Sequence, residues 1–501
     1  MATALENARE RLAAIADLSR AGALLAWDER TKMPKGGGEA RGDQLATLAT
    51  IGHEMVVDDR LADLLERAAE EVAGLPADSD DASLVRVARR DVDKARRVPT
   101  ELRAELTRAA SRGEQAWVEA REASDFAAFL PYLERNVELT REYVECFAPY
   151  EHPYDVLLDD YEPGMRTREL EPVLEALRDG LRPLLERLAA ADAPDAGCLH
   201  GDFPLAAQGE LGERVLSGLP IPQDERRLDE TVHPFAVAIA PSDLRITTRY
   251  EPTYVGTALW AVMHEAGHAM YENGIRPELS RSPLGHGLSL GFHESQSRLW
   301  ENWVGRGLPY LTHALPMLRE VFPDRFGAVS AQKLHRAANR VEPSLIRVEA
   351  DEATYNLHII LRFELEVGIF TGEIAPADLP EAWNSRMREY LGVEVPDDAN
   401  GVLQDVHWAG GAFGYFPTYS LGNVIAGQLW DLANAELPEL EAQIGRGELS
   451  PLREWLRERL HTHGAKFEPA EMIEKLTGGG LDPAPLLRQL EEKYAAVYDL
   501  K

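Results

Sequence analysis

His264, Glu265 and His268, in the run His264-Glu-Ala-Gly-His268, combine residue types and spacing that can do hydrolytic chemistry. Apolar residues at Val255, Leu259, Val262, Ala266, Ala269 and Met270 recur around them at helical spacing, so the stretch reads as one helix. A helix turns once about every 3.6 residues, which puts the two histidines on consecutive turns of one face, where their imidazoles can converge on a single divalent ion. Glu265 then stands beside the ion without ligating it. A carboxylate placed there can take a proton from water that the ion has made acidic; zinc brings that pKa to about 7. The competing reading is a surface helix carrying two incidental histidines.

A zinc hydrolase uses three protein ligands and keeps one position open. The extended pattern that would add a third histidine on the same helix is absent, because Tyr271 and Gly274 occupy the places of its Gly and His. The third ligand must come from another element. Gly291-Phe-His-Glu-Ser-Gln-Ser-Arg-Leu-Trp-Glu-Asn302 begins a second amphipathic helix and offers Glu294, with His293 as competitor. Adjacent helical residues point about 100° apart, so only one of the pair can face the ion, and spacing alone leaves the choice open.

These residues need a scaffold to hold them. From residue 4 to 192 nearly everything reads as amphipathic helix, with stripes such as Leu5, Ala8, Leu12, Ile15, Leu18 and Leu170, Val173, Leu174, Leu177, Leu181, Leu184. A less regular connection over 192–232 leads to two segments, His233–Ile239 and Asp243–Tyr250, that read as an antiparallel strand pair. Thr253 is placed to cap the metal helix and Gly274 to end it. Helices are then expected over 294–307, 328–341, 344–370, 376–391, 418–435, 449–463 and 484–497. The expected fold is mostly α, a single helical body with a deep cleft between two lobes and a small antiparallel β-sheet beside the metal helix. Residues 1–225 would form the N-terminal helical lobe and 226–501 the catalytic lobe.

Composition narrows the partners. The net charge of −32 repels phosphate backbones and anionic lipid, so neither nucleic acid nor membrane is expected. The two cysteines, Cys146 and Cys198, form no framework or thiolate zinc cluster. No signal-peptide core and no membrane-length apolar run is visible, which makes the cytoplasm the expected location.

Separate blocks in a fixed order carry a family resemblance: Trp27-Asp-Glu-Arg-Thr-Lys-Met-Pro34, His233-Pro-Phe235, Asp243-Leu-Arg-Ile-Thr247, His264-Glu-Ala-Gly-His268, His293-Glu-Ser-Gln296, Ile346-Arg-Val-Glu-Ala-Asp351 and Gly401-Val-Leu-Gln-Asp-Val-His-Trp408. With them the chain resembles the carboxypeptidase Taq family of metallopeptidases along essentially its whole length. The resemblance implies a saddle-shaped helical fold with a deep cleft, a homodimer, and a metal-dependent carboxypeptidase that releases single C-terminal residues with broad preference. It also implies His264, His268 and Glu294 as ligands of one divalent metal per chain and Glu265 as general base. Zinc is the default metal, and cobalt or manganese suit the same ligands. The rival readings are a zinc oligopeptidase or dipeptidase, and a non-catalytic helical peptide-binding protein.

A carboxypeptidase must bind a free α-carboxylate of its peptide substrate, which the planar fork of an arginine does best. Arg347 is the candidate, against the alternative of an ion pair with Glu342 or Asp351; Arg245 and Arg249 are weaker ones. His233, Asp243, Arg245 and Thr247, in two of the shared blocks, are further substrate-binding candidates. Attack on a peptide carbonyl develops an oxyanion whose donor contributes about 3–4 kcal/mol. His407, Tyr415 and Tyr419, in the glycine-rich stretch 404–419, are suited to that task. His286 could touch substrate but reads as a surface histidine, and His461 and His463 read as solvated.

Overall fold

The computed structural model describes residues 2–500. Among them the chain is mostly helical, as the periodicity predicts, with one small three-stranded sheet. It divides into two compact units, each assembled from separated segments.

The first unit comprises residues up to Arg96, Asp195–Ala338 and Leu429–Gly479. It opens with a 28-residue helix, Ala4–Thr31, started by a capping box in which the Thr3 hydroxyl accepts from the Glu6 N–H and the Glu6 carboxylate accepts from the Thr3 N–H. Ala4, Ala8 and Leu12 of this helix pack with Leu61, Leu65, Leu84, Val85, Ala88 and Val92 and with Ile275, Leu279 and Leu284, just beyond the metal helix.

The sheet also belongs to this unit. Strands β2 (Ala236–Ala240) and β3 (Asp243–Thr248) pair antiparallel as expected. A further strand, β1 (Arg226–Glu230), joins β3 in parallel and makes the sheet mixed rather than antiparallel. Its sequence, Arg-Arg-Leu-Asp-Glu, lacks the β-branched alternation that marks a strand, so only the pairing Arg226 to Leu244 through Glu230 to Thr248 defines it. The metal helix does not begin at Thr253. A wide turn over Thr257–Ala261 precedes the regular helix Val262–Gly274.

The second unit comprises Arg97–Pro194, Asn339–Gln428 and the chain from Gly480 onward. Leu170, Leu174, Leu177, Leu181 and Leu184 of the helix Thr167–Ala189 are buried, the stripe that the spacing predicts. The helix expected over 344–370 begins later, at Glu352–Thr371. Asp351 sets the start: its side chain accepts from the Ala353 and Thr354 N–H groups at 2.9 and 3.0 Å, a cap of about 1 kcal/mol. Residues 344–350 therefore lie outside the helix, with only a short 3₁₀ turn at Arg347–Glu349.

Candidate metal and catalytic site

Gly267 decides how closely the two candidate ligand helices approach. A Cβ at this position would stand 2.6 Å from the Gln296 carbonyl oxygen and 2.7 Å from the Ser297 Cα. The helices Val262–Gly274 and Leu290–Arg298 thus meet backbone to backbone, and any larger residue would force them apart. That contact carries Glu294 toward the two histidines. Its Oε2 lies 3.7 Å from His264 Nε2 and 3.5 Å from His268 Nε2. The three ligand atoms all fall within 4.8 Å of one another. Two ligands at roughly 2.0–2.1 Å from a tetrahedral ion stand about 3.3 Å apart, so the trio fits a divalent cation with little movement.

The remaining atoms of the trio are already engaged. Glu301 Oε2 accepts from His264 Nδ1 at 2.9 Å. His268 Nδ1 lies 2.6 Å from His293 Nδ1, and His293 Nε2 lies 3.0 Å from Glu272 Oε1. With His293 Nε2–H donating to the Glu272 carboxylate and His293 Nδ1 accepting from His268 Nδ1–H, His268 Nε2 is left as a bare lone pair. Glu294 Oε1 accepts from Arg298 Nε at 2.6 Å, so only its Oε2 turns to the histidines. His293, the competing third ligand, thus lies behind His268 rather than beside Glu294. Glu301, Glu272 and Arg298 belong to none of the motifs that mark the site in the sequence. The spacing Glu294, Arg298, Glu301 on one helical run was the available signal.

Burial and charge tune these groups. Burial opposes ionisation of Glu294, but Arg298 and the two histidines outweigh it and hold the carboxyl well below its ordinary range. Glu301 is likewise depressed against its burial, by His264, Arg298 and Arg306. Desolvation lowers His268 to about 4, which keeps it neutral as a metal ligand requires. Glu265, 6% exposed, is pushed up to about 7 by burial, with His264 opposing and Glu294 reinforcing the shift. A carboxyl near neutrality suits proton exchange with water. Glu301→Gln removes the anionic acceptor that orients His264; metal affinity is expected to fall roughly 10- to 100-fold, with activity returning at excess metal. Chelator competition read by metal analysis checks it.

In the second unit, a buried cluster surrounds the Gln404–Tyr419 stretch. Asp405 Oδ1 accepts from Arg347 Nε at 3.0 Å and Nη2 at 2.8 Å, and Asp405 Oδ2 from Arg362 Nε at 2.8 Å. Arg347 is 5% exposed, and its Nη1 donates to Tyr355 OH at 3.1 Å. Its partner is neither Glu342 nor Asp351, because the chain at 347 is not α-helical and the α-helical spacings do not apply. His407 Nε2 lies 3.4 Å from Tyr419 OH. The His407 ring lies 5.2 Å from that of Tyr415 and 4.5 Å from that of Phe416. Desolvation lowers His407 to about 4 against the pull of Asp405, so it is a neutral imidazole at neutral pH.

The other candidates fall in varied surroundings. His233 is exposed. The Thr247 hydroxyl donates to the Phe235 carbonyl and accepts from the Phe235 N–H, both at 2.7 Å, which ties two of the shared blocks together. Arg245 forks Asp243 at 2.5 and 2.9 Å and lies 4.6 Å over the Trp27 ring, joining the first block to the second strand of that pair. Arg249 pairs with Glu251. His286 is exposed, its Nδ1 2.7 Å from the Gly287 carbonyl. His461 is not solvated: it is wholly buried, with Nε2 2.8 Å from Gln296 Oε1 and its ring 4.9 Å from Tyr271. His463 is partly buried against Phe467.

Comparison with known proteins bears on this constellation. Residues 7–494 match the sequence model of the carboxypeptidase Taq (M32) metallopeptidases. Thermostable carboxypeptidase 1 of Thermus thermophilus is 47% identical, with 99% of each chain covered. Carboxypeptidase 1 of Bacillus subtilis is 40% identical, covering 97% of this chain and 96% of that protein. Among solved structures, the M32 carboxypeptidase of Deinococcus radiodurans superposes with a TM-score of 0.96 at 38% identity, and a Pyrococcus furiosus carboxypeptidase with 0.95 at 34%, each over 99% of both chains.

Proposed function

Because the chain belongs to the carboxypeptidase Taq family and is a metal-dependent carboxypeptidase, we propose that it trims single C-terminal residues, with broad side-chain preference, at the His264, His268 and Glu294 centre. The observation that carries the reading is the convergence of three lone-pair-bearing atoms beside the buried Glu265 carboxyl. His264, His268 and Glu294 would hold one divalent ion, zinc by default, which supplies Lewis-acid polarisation of the scissile carbonyl and acidifies water. Glu265 takes the proton of the attacking water and later delivers it to the leaving amine. Neutral His407, with Tyr415 or Tyr419, is assigned as hydrogen-bond donor to the developing oxyanion. All these residues fall in 226–501, proposed as the catalytic lobe beside an N-terminal helical lobe of 1–225. A cytoplasmic homodimer is proposed as the working form.

Recognition of the free α-carboxylate is assigned to Arg347, with His233, Asp243, Arg245 and Thr247 as substrate contacts. Arg347, Arg245 and Arg249 all have resident carboxylates. Of the three, Arg347 is the one tied to the His407 stretch, through its bond to Asp405. Alanine at 347 would leave Asp405 buried beside one arginine fewer, and breaking such a buried pair costs about 3–5 kcal/mol. Arg347→Lys is therefore the informative variant. It keeps the charge, loses the fork, and is expected to raise KM for free-carboxylate peptides about tenfold with metal content unchanged. An unchanged KM moves the role to Arg245 or Arg249.

The reading itself is tested by incubating a short peptide and its C-terminal amide with the metal-loaded enzyme. Stepwise release of single C-terminal amino acids from the free peptide alone is expected. Internal cleavage, or equal activity on the amide, would overturn it in favour of an oligopeptidase.

A further inference from the structure

Glu366, in the middle of the helix Glu352–Thr371, is fully buried and has no part in the chemistry above. Its two oxygens collect three hydrogen bonds. Oε2 accepts from Tyr154 OH at 2.6 Å and from the Gly414 N–H at 2.9 Å; Oε1 accepts from the Trp408 indole N–H at 2.7 Å. Two of these donors adjoin candidate oxyanion residues, since Trp408 follows His407 and Gly414 precedes Tyr415. The third, Tyr154, comes from the short helix Pro153–Leu158, which presses on the same segment. Gly414 has φ +84°, and a Cβ there would lie 2.5 Å from the Leu157 carbonyl oxygen, so the loop has no slack on that side.

We infer that Glu366 is a positioning residue, a buried carboxyl that fixes both ends of the 408–414 loop and thereby sets where His407 and Tyr415 stand during catalysis. The inference rests on the assignment of His407 as an oxyanion donor. Burial raises the Glu366 carboxyl to about 7, against the pull of its three donors and of the Arg362 charge; among the described residues its hydrogen bonds come from these three donors and from no arginine or lysine. Two of its three hydrogen-bond partners are therefore in the loop itself and the third is on the helix against it, and a buried carboxyl with no ion pair in direct contact is kept in place by such hydrogen bonds.

Glu366→Gln tests this in a double-mutant cycle with His407→Ala on the metal-loaded enzyme. The glutamine keeps one acceptor but turns an NH₂ toward a donor. It is expected to lower kcat roughly 10- to 100-fold, the scale of a misplacement of about 1 Å, with KM and metal content nearly unchanged. In the His407→Ala background it should lower kcat much less, leaving only the part that acts through Tyr415, whereas equal loss in both backgrounds overturns the inference. If His407→Ala alone retains full kcat, the donor assignment falls, and the inference falls with it. Tyr154→Phe removes one donor more gently and is expected to give the same pattern at smaller amplitude should Glu366→Gln fold poorly. Indole ¹⁵N-labelling provides a readout independent of turnover: one tryptophan N–H resonance, that of Trp408, shifts in Glu366→Gln. An unmoved spectrum overturns the anchoring.

Discussion

Glu265→Gln is expected to keep its metal and lose kcat by roughly 10³- to 10⁴-fold, the upper range of general-base catalysis. The substitution is isosteric, and the side chain is not one of the three convergent ligands, so the ion should be held as before. An amide cannot take a proton from water at neutral pH, and it cannot return one to the leaving amine. Both halves of the reaction therefore lose the same group. The pH profile carries an independent signature. Burial places the Glu265 carboxyl near 7, and the positive charge of a bound ion favours the carboxylate, which moves the value down. Wild-type kcat/KM should thus rise with pH along an acid limb below 7 as Glu265 ionises, and the residual activity of Glu265→Gln should lack that limb. Metal analysis with steady-state kinetics on one peptide checks both points. Activity within tenfold of wild type would remove Glu265 as the base.

The parts of this site legible in the sequence are those set by local geometry. His264 and His268 share a face because a helix repeats every 3.6 residues, and nothing distant is needed to know it. Glu294 was one of two options from spacing. What separates it from His293 is the approach of two helices at Gly267, a contact between segments about thirty residues apart whose only local trace is a glycine. The third strand shows the same limit: Arg226-Arg-Leu-Asp-Glu230 has no strand pattern of its own and becomes a strand by pairing with β3. Arg347 shows a different failure. Its expected partners, Glu342 and Asp351, rest on helical spacing, whereas Asp351 starts the helix rather than sitting inside it. The true partner, Asp405, lies in another block, beyond the reach of any periodicity. His461 reads as solvated because its neighbours are polar, whereas its ring packs against Tyr271 and bonds Gln296.

Removing a ligand should separate metal binding from folding. His264→Ala is expected to abolish tight binding of the divalent ion and to lower activity by at least about 10⁴-fold, beyond rescue by added metal, since two ligands cannot make a three-ligand site. The fold should survive, because the carboxylates left behind keep cationic partners. Glu294 retains Arg298 at 2.6 Å, and Glu301 retains Arg306 at 3.1 Å and Arg298 at 3.4 Å. Glu294→Gln should give the same loss of ion by a different route, since it removes the one anionic ligand and leaves Arg298 facing an amide. Chelator-treated wild type is the control that distinguishes an absent ion from a damaged site: it should regain activity on addition of zinc, and the two variants should not. The contrast with Glu301→Gln is quantitative, because a residue that only orients His264 weakens binding by one or two orders of magnitude, whereas a ligand removes it. If His264→Ala still holds about one ion per chain, the trio is not the metal site, and the hydrolytic reading built on it fails with it.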